Sequence, residues 1–337
     1  MSDSVENVEY LLSCGSNPNK RDDSGRTPIH IACRAGNAPI VKCLLDHGAS
    51  PDIKTVSQDT CLHFAAQTGH AEVAKLLVNN KNLLSARNST LQSPLHISAQ
   101  SGSLDFFKVL VESGADIECE DQNKWHPLHS AVYYNSYLIT RYLIESGADI
   151  NVQTISGSTP LHFAIQFSNI SMVQLLLNNG ASAVLQDKDG HSALHVAVKK
   201  NDSSIVKLLI GYGAKTSLVD NKNKTPLHMA CAKGSLDVIQ TLVEQGAKLD
   251  AQDSMGRTPV HYAADANRVD VLNYLSEKGV NMDITDNYGK TPLTIAQEEH
   301  SNDAVKTLTR TPSMKSASPR QMKLSPNTKQ YRNSYRL

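Results

Sequence analysis

Residues 22–30 read DDSGRTPIH. Asp22 favours a turn because its side chain can bond nearby backbone groups, and Gly25 supplies the positive φ that a tight turn needs. Thr27 is suited to the N-cap of a helix, and Pro28 to the first helical position, where its missing N–H costs no hydrogen bond. The stretch therefore predicts a turn followed at once by a helix.

This turn and helix start recur every 33 residues without a slip. The position of Thr27 is occupied next by Thr60, Ser93, His126, Thr159, Ser192, Thr225, Thr258 and Thr291. Eight of the 13 histidines share one register: His30, His63, His96, His129, His162, His195, His228 and His261. A fixed period of this length indicates stacked supersecondary units, which bury a continuous core between neighbours.

Each unit contains a second helix after the first. Small residues at the position of Ala32 allow neighbouring first helices to approach closely, and Gly36 closes the first helix. Val41 and Leu44 then belong to an apolar stripe at helical spacing, and Gly48 is suited to a left-handed C-terminal cap. The unit is therefore predicted to be a turn and two antiparallel helices, which we call the inner and outer helix in chain order.

The pattern D-x-x-G-x-T-P-L-H-x-A, nearly intact at residues 253–263, resembles the ankyrin repeat, and the resemblance extends over about residues 5–309. It implies an all-α repeat solenoid of eight complete units, with a half unit at the N-terminus and a truncated ninth at the C-terminus. The expected domains are the solenoid, residues 1–309, and a tail, residues 310–337. The half unit would suit either a self-capping end or a fragment of a longer chain.

The resemblance also gives the repeated histidines a role. In the family they hydrogen-bond backbone groups near their own turn and in the adjoining repeat. The alternative is a ladder of metal ligands, but ligands on one helix need i, i+3 or i+4 spacing, whereas these histidines lie a whole repeat apart. We therefore expect no metal and no cofactor.

Composition limits the possible classes of protein. Formal net charge is zero, yet residues 310–337 hold seven Lys or Arg and no Asp or Glu, so the body is acidic and direct nucleic-acid binding is not expected. No apolar run is long enough to span a membrane, and the N-terminus lacks a signal-peptide pattern. Scattered cysteines suit reduced thiols, which places the protein in the cytoplasm or the nucleus.

No catalytic motif is visible: the sequence has no phosphate-binding loop, nucleophile elbow, HExxH or kinase signature. The expectation is a non-enzymatic scaffold or adaptor for other proteins. Two alternatives stay open: a regulatory or targeting part of a phosphatase, acyltransferase or ubiquitin-ligase assembly, or an inhibitor that masks a partner's localisation or DNA-binding segment. Fold alone does not choose among them.

In the ankyrin family, partners usually bind the concave face, built from the turn tips and the exposed side of the inner helices. The positions of Arg26, Arg34 and Ala35 map to that face. In two adjacent units they hold large aromatic residues, which are typical interface anchors: Trp125, Tyr133, Tyr134 and Phe167. The alternative is that these rings pack between repeats as local filler.

The next two units add positive charge on the same face. The lysines are Lys188, Lys199, Lys200, Lys222, Lys224 and Lys233. They predict a partner segment that has an aromatic or apolar anchor and an adjoining acidic run, although a merely solvated face would show the same lysines.

Three further expectations concern modification and stability. The tail has few aliphatic residues and should be disordered; Thr311, Ser318 and Ser325 each precede proline and are candidate phosphorylation sites. Asn151 lies where many ankyrin repeats are hydroxylated. The turn glycine is replaced by Gln58 and Leu91, and the glycine that ends the outer helix by Lys81, although Asn80 and Asn82 could still adopt the left-handed conformation that glycine usually supplies. Residues 79–92 are therefore predicted to be the weakest interior joint, a candidate hinge, with an ordinary variant loop as the alternative.

Overall fold

The computed structural model describes residues 5–310, in which 20 helices follow one another. No strand occurs in this range; one isolated bridge joins Gln186 and Ser192. The helices are α1 Val5–Ser13, α2 Pro28–Ala35, α3 Ala38–Asp46, α4 Cys61–Thr68, α5 Ala71–Leu77, α6 Lys81–Leu84, α7 Pro94–Ser101, α8 Leu104–Glu112, α9 Pro127–Tyr133, α10 Tyr137–Glu145, α11 Pro160–Gln166, α12 Ile170–Asn178, α13 Ala193–Lys200, α14 Ser203–Gly211, α15 Pro226–Lys233, α16 Leu236–Glu244, α17 Pro259–Asp265, α18 Val269–Glu277, α19 Pro292–Glu298 and α20 Asn302–Arg310.

The predicted all-helical repeat architecture is confirmed. After the single outer helix α1, inner and outer helices alternate from α2 to α20, with the short α6 as an extra turn between α5 and α7. Each inner helix packs against the next inner helix, and most outer helices pack against the next outer helix. The predicted tail lies outside the described residues, apart from Arg310, and its boundary stays a prediction. None of the helices in residues 5–310 is long and apolar enough to cross a membrane.

The core runs along the stack between the two helix layers. Leu at the position of Leu44 and a small residue at the position of Ala32 are buried in every helix pair. Burying a Leu side chain stabilises a fold by about 1.5–3 kcal/mol, so one repeated position contributes at every joint. Leu11, the equivalent of Leu44 in the half unit, is by contrast exposed.

The repeated histidines have the role that the resemblance implied. In eight units the histidine Nδ1 accepts a hydrogen bond from the backbone N–H of the residue at the N-cap, at 3.0–3.2 Å. In seven of them Nε2 donates to a carbonyl oxygen of the following unit. Because a backbone N–H can only donate, Nδ1 must be unprotonated, and the neutral Nε2–H tautomer satisfies both bonds.

Successive turn tips are joined by the same backbone hydrogen bond throughout the stack. A backbone N–H at each tip donates to a carbonyl oxygen of the preceding tip, for example Ile155 to Asn123 at 2.8 Å and Lys188 to Ser156 at 2.9 Å. The tips therefore form a continuous hydrogen-bonded edge. Together with the histidine bonds, they fix the position of each unit relative to the next.

The turn glycine position has positive φ even where glycine is absent. Gly25 has φ 77°, and the expected departures Gln58 and Leu91 have φ 63° and 60°. Lys124 and Asn223, which were not among the expected departures, have φ 57° and 58° at the same position. The turn geometry is therefore imposed by the stack, and a non-glycine residue there is strained, by roughly 1–2 kcal/mol.

One expectation about residues 79–92 was wrong. Asn80 and Asn82 were candidates for the left-handed conformation that Lys81 would not favour, but Asn80 has φ −83° and caps α6 by accepting from the Asn82 N–H at 3.1 Å. The chain continues into an extra helical turn because Leu83 and Leu84 become buried there. Tertiary burial has replaced the usual glycine cap.

Candidate protein-interaction surface

The four predicted aromatic residues lie together, in the turn before α9, at the end of α9 and at the end of α11. The ring of Tyr133 contacts those of Trp125, Tyr134 and Phe167, with centroid separations of 5.0–5.2 Å. The contacts are edge-to-face, a favourable geometry for aromatic pairs. Two units thus contribute to one continuous group of rings.

A fifth ring, Phe163, completes this aromatic cluster. Its centroid lies 4.9 Å from that of Trp125 and 5.8 Å from that of Tyr133. Phe163 was not among the predicted residues, because it lies outside the three positions of each unit that map to the concave face. Phe163 and Phe167 are four residues apart and so share one helix face, which was the available signal.

The rings differ in exposure. Trp125 and Phe163 are half-buried, whereas Tyr133, Tyr134 and Phe167 are 39%, 51% and 50% exposed. Packing between units accounts for the inner rings, as the alternative interpretation held. It does not account for Tyr134 and Phe167, whose exposed halves have no neighbour among the described residues.

The backbone at Trp125 is held by its own turn and by the preceding unit. The Trp125 carbonyl oxygen accepts from His96 Nε2 at 2.8 Å and from the Asp121 N–H at 2.9 Å. Asp121 Oδ1 in turn accepts from the Trp125 N–H at 2.9 Å. Trp125 therefore stands on a fixed turn, and little conformational entropy is lost when its ring is covered.

Burial keeps the histidines of this region neutral. Desolvation lowers the pKa of His96 to about 4 and that of His129 to about 3, although the carbonyl oxygens that accept from their Nε2 atoms oppose the shift. The His129 ring also contacts Trp125 and Phe163. The cluster therefore rests on uncharged imidazoles near neutral pH.

The six predicted lysines lie in the following units, and all but Lys224 are exposed. None of the six ammonium groups pairs with a carboxylate among the described residues. Lys224 is half-buried, and its Nζ lies 4.4 Å from the centroid of the Tyr262 ring, a cation–π contact. Tyr262 is itself fixed by a 2.6 Å hydrogen bond from its hydroxyl to Asp253 Oδ2.

A hollow of about 260 Å³ lies among these lysines. Apolar groups of Met229, Ala232 and Tyr262 line it, and Lys199, Lys224 and Lys233 also contribute to its wall. The basic face therefore contains an apolar depression that could take a side chain. The depression was not predictable from the repeat pattern, because Tyr262 comes from another unit than the lysines.

Carboxylates interrupt the lysines at one point. Ligand atoms of Asp187, Asp189 and His191 lie within 4.8 Å of one another. Asp187 Oδ1 already accepts from the backbone N–H groups of Asp189 and His191, at 3.0 and 2.8 Å, as in the other turns of the stack. We attribute this grouping to the turn.

The predicted modification sites are placed as follows. Asn151 bridges two units: its Oδ1 accepts from the Ser182 N–H at 2.8 Å, and its Nδ2 donates to the Gly180 carbonyl oxygen at 3.4 Å. Hydroxylation of Asn151 stays a prediction. Thr311, Ser318 and Ser325 lie outside the described residues.

Comparison with protein families gives matches along most of the chain. A model of ankyrin repeats in three copies matches residues 1–86, 194–286 and 250–317, and a model of many copies matches 128–177 and 170–210. The single ankyrin repeat matches residues 90–122. Human Rabankyrin-5 is 49% identical over 37 residues, which is 11% of this chain and only 3% of that protein.

Solved structures give a longer match. The ankyrin repeat domain of Bcl-3, described as a unique member of the IkappaB protein family, is 32% identical with a TM-score of 0.58 and covers 66% of this chain and 100% of its own. The ankyrin repeat domain of human ASB11 is 28% identical with a TM-score of 0.59 and covers 66% of this chain and 99% of its own.

Proposed function

The chain belongs to the ankyrin-repeat family, and from that premise we propose that it is a non-enzymatic scaffold or adaptor that binds a segment of a partner protein on its concave face. Ankyrin-repeat domains generally mediate protein–protein interactions, and no catalytic domain is identified. The proposed ligand has an aromatic or apolar anchor and an acidic run beside it.

The aromatic cluster carries this proposal. Tyr134 and Phe167 are half-exposed, whereas Leu143 and Leu176 of the same units are fully buried in the core. Exposed rings on a rigid base bury a large area at low entropic cost, as interface anchors do. An apolar or aromatic side chain of the partner would cover them.

The lysines supply the acidic half of the proposed ligand. Lys199 and Lys200 lie exposed in the unit that follows Phe167, and neither pairs with a carboxylate within residues 5–310. Carboxylates of the partner would steer its approach to these lysines, so a single Lys→Ala change should alter the association rate and its salt dependence more than the affinity. The hollow beside Lys224 offers a second place for an apolar side chain.

The test compares partners captured from the source lysate by the wild type and by the Trp125→Ala/Tyr134→Ala double variant. A Tyr10→Ala/Tyr288→Ala variant removes two rings of greater exposure elsewhere and is the matched control. Since Trp125 is half-buried, Tyr134→Ala/Phe167→Ala is tested as well, and all variants must share the thermal unfolding midpoint of the wild type.

A partner that is lost from both cluster variants and retained by the control supports the proposed site. Equal capture by all four proteins would reject the cluster as a binding site and leave its rings as packing between units.

A further inference from the structure

One complete unit of this chain carries no charged side chain. Between Asp149 and Asp187 there is no Asp, Glu, Lys or Arg, although 20% of the chain is charged, or about one residue in five. His162 is the only residue with a titratable side chain in the interval; it is buried, and desolvation lowers its pKa. We call residues 150–186 the uncharged belt.

The surface of the belt is apolar as well as uncharged. Four large hydrophobic side chains protrude from it at separate points of the unit: Ile155 at 51% exposure, Phe167 at 50%, Ile170 at 45% and Val184 at 39%. Its other exposed side chains are Ser, Asn and Gln. Solvent-facing positions of a solenoid normally carry charges that keep the surface soluble, so a unit without any is typical of a surface that another molecule covers.

The apolar surface continues into the preceding unit, at the edge where inner helices end and outer helices begin. There Tyr137 is 40% exposed and Leu138 55%. The two loops are joined by a hydrogen bond of 2.5 Å from Asn169 Nδ2 to Asn135 Oδ1, so the edges of the two units lie side by side. We call Tyr134, Tyr137, Leu138, Phe167 and Ile170 the edge patch.

The edge patch is continuous with the aromatic cluster, because Tyr133 contacts both Tyr134 and Phe167. It leads away from the concave face, since Tyr137, Leu138 and Ile170 belong to the outer helices α10 and α12. An apolar surface therefore begins at Trp125 and passes over the edge of the stack.

Charge returns directly beside the belt. Gln166 of the belt lines a hollow of about 460 Å³ together with Lys199 and Lys200 of the next unit. Asp187 and Asp189 line the same hollow, and Asp187 Oδ1 is occupied by backbone N–H groups. The surface is thus apolar and uncharged over the belt and carries both signs of charge in the hollow beside it, where Lys199 and Lys200 supply the ammonium groups.

We propose that the edge patch and the aromatic cluster form one docking surface for a protein segment that is apolar and free of charge over the belt, and acidic where it reaches Lys199 and Lys200. This inference rests on the proposed function and extends it, because it takes the partner over the edge of the stack and excludes charges from the part that contacts the belt. A charged side chain there would be desolvated without any opposite charge to pair with.

The test uses a phage-displayed library of random peptides as the probe and the wild-type protein as bait. We expect enriched peptides that join an uncharged apolar block to a block of Asp or Glu. Each enriched peptide is then titrated against Leu138→Lys and Ile170→Lys, which place a charge on the edge patch outside the concave face. Val56→Lys, at a residue 74% exposed in another unit, is the matched control.

We expect each edge variant to weaken binding at least about tenfold and Val56→Lys to leave it unchanged, with equal thermal midpoints for all. If Trp125→Ala/Tyr134→Ala weakens binding while the edge variants bind as the wild type does, the edge proposal is overturned and the concave-face function stands. If no peptide is enriched, or if the wild type dimerises and Leu138→Lys abolishes the dimer, the patch has no such ligand and this proposal is wrong.

Discussion

The side chain of His96 holds the backbone of Trp125, because its Nε2 donates a hydrogen bond of 2.8 Å to the Trp125 carbonyl oxygen. The other nitrogen of the same ring, Nδ1, accepts from the Ser93 N–H at 3.2 Å at the start of α7. One buried imidazole therefore caps its own helix and fixes the turn that carries the only tryptophan of the chain. Folding of one unit and placement of the proposed anchor in the next depend on the same ring.

Replacing His96 with Ala should lower the free energy of unfolding by about 2–3 kcal/mol. The change removes the N-cap interaction and the bond between units, and leaves the Ser93 N–H buried without that acceptor. Denaturant unfolding followed by Trp125 fluorescence and by circular dichroism would measure the loss. His70→Ala is the control, since His70 is exposed and makes no capping bond with its side chain. An unchanged midpoint for His96→Ala would show that the bond contributes little.

Stability should fall as the pH is lowered from about 7 towards 4. Burial lowers the pKa of every repeated histidine, and that of His96 to about 4. Below the unfolded value of about 6.5 the unfolded chain binds protons that the folded chain does not, so protonation favours unfolding. The stability that depends on neutral histidines is therefore fully present above pH 6.5. It is lost progressively as the pH falls towards the pKa values that the histidines have in the folded protein.

The contribution of His96 can be separated from the rest. Urea unfolding at several pH values gives the free energy of unfolding of the wild type and of His96→Gln as a function of pH. Between pH 6 and 4.5 the slopes of the two curves should differ by about 1.4 kcal/mol per pH unit, which is the effect of one linked proton. The wild type should have the steeper slope. Parallel curves would mean that His96 is protonated in the folded protein, against the bonding described above.

Leu91→Gly should stabilise the protein by about 1 kcal/mol. Leu91 has φ 60° at the turn position that is glycine in most units, and its side chain is 51% exposed, so relief of strain outweighs the lost packing. The reverse change, Gly157→Leu, should destabilise more, because a Cβ there would lie 2.9 Å from the Lys188 backbone nitrogen. Thermal unfolding of the two variants shows whether Leu91→Gly raises and Gly157→Leu lowers the unfolding midpoint relative to the wild type. A lower midpoint for Leu91→Gly would contradict the assignment of strain to this residue.

Local rules made most of the fold predictable from the sequence. Thr27, Pro28 and Gly25 act on their immediate neighbours, so the turn and the start of the inner helix can be predicted without knowing the rest of the chain. The helix α6 was not predictable in this way, because its turn forms through burial of Leu83 and Leu84 against neighbouring units. Tertiary packing there overrides local propensity.

The interaction surface was predictable only in part. Repeat register placed Trp125, Tyr133 and Phe167 on one face, but the contact of Phe163 with Trp125 depends on how two units pack. The stacking of Lys224 on Tyr262 likewise joins different units. The uncharged belt needs no structure to be seen, yet its meaning depends on the exposed side chains that the fold leaves uncovered.

Residues 79–92 should exchange their amide hydrogens faster than the corresponding segments of the flanking units. Two contacts stabilise the segment: Lys81 Nζ donates to the Ser113 carbonyl oxygen at 2.6 Å, and Leu83 is fully buried. The strained backbone of Leu91, at φ 60° in the adjoining turn, opposes them. α6 is a single four-residue turn, so it has few internal hydrogen bonds to retain when the joint opens. Hydrogen exchange with peptide-level resolution measures the difference, and Leu91→Gly should reduce it because the strain is relieved. Protection equal to that of the residues 112–125 would show that this segment is an ordinary variant loop and that burial of Leu83 outweighs the missing glycines.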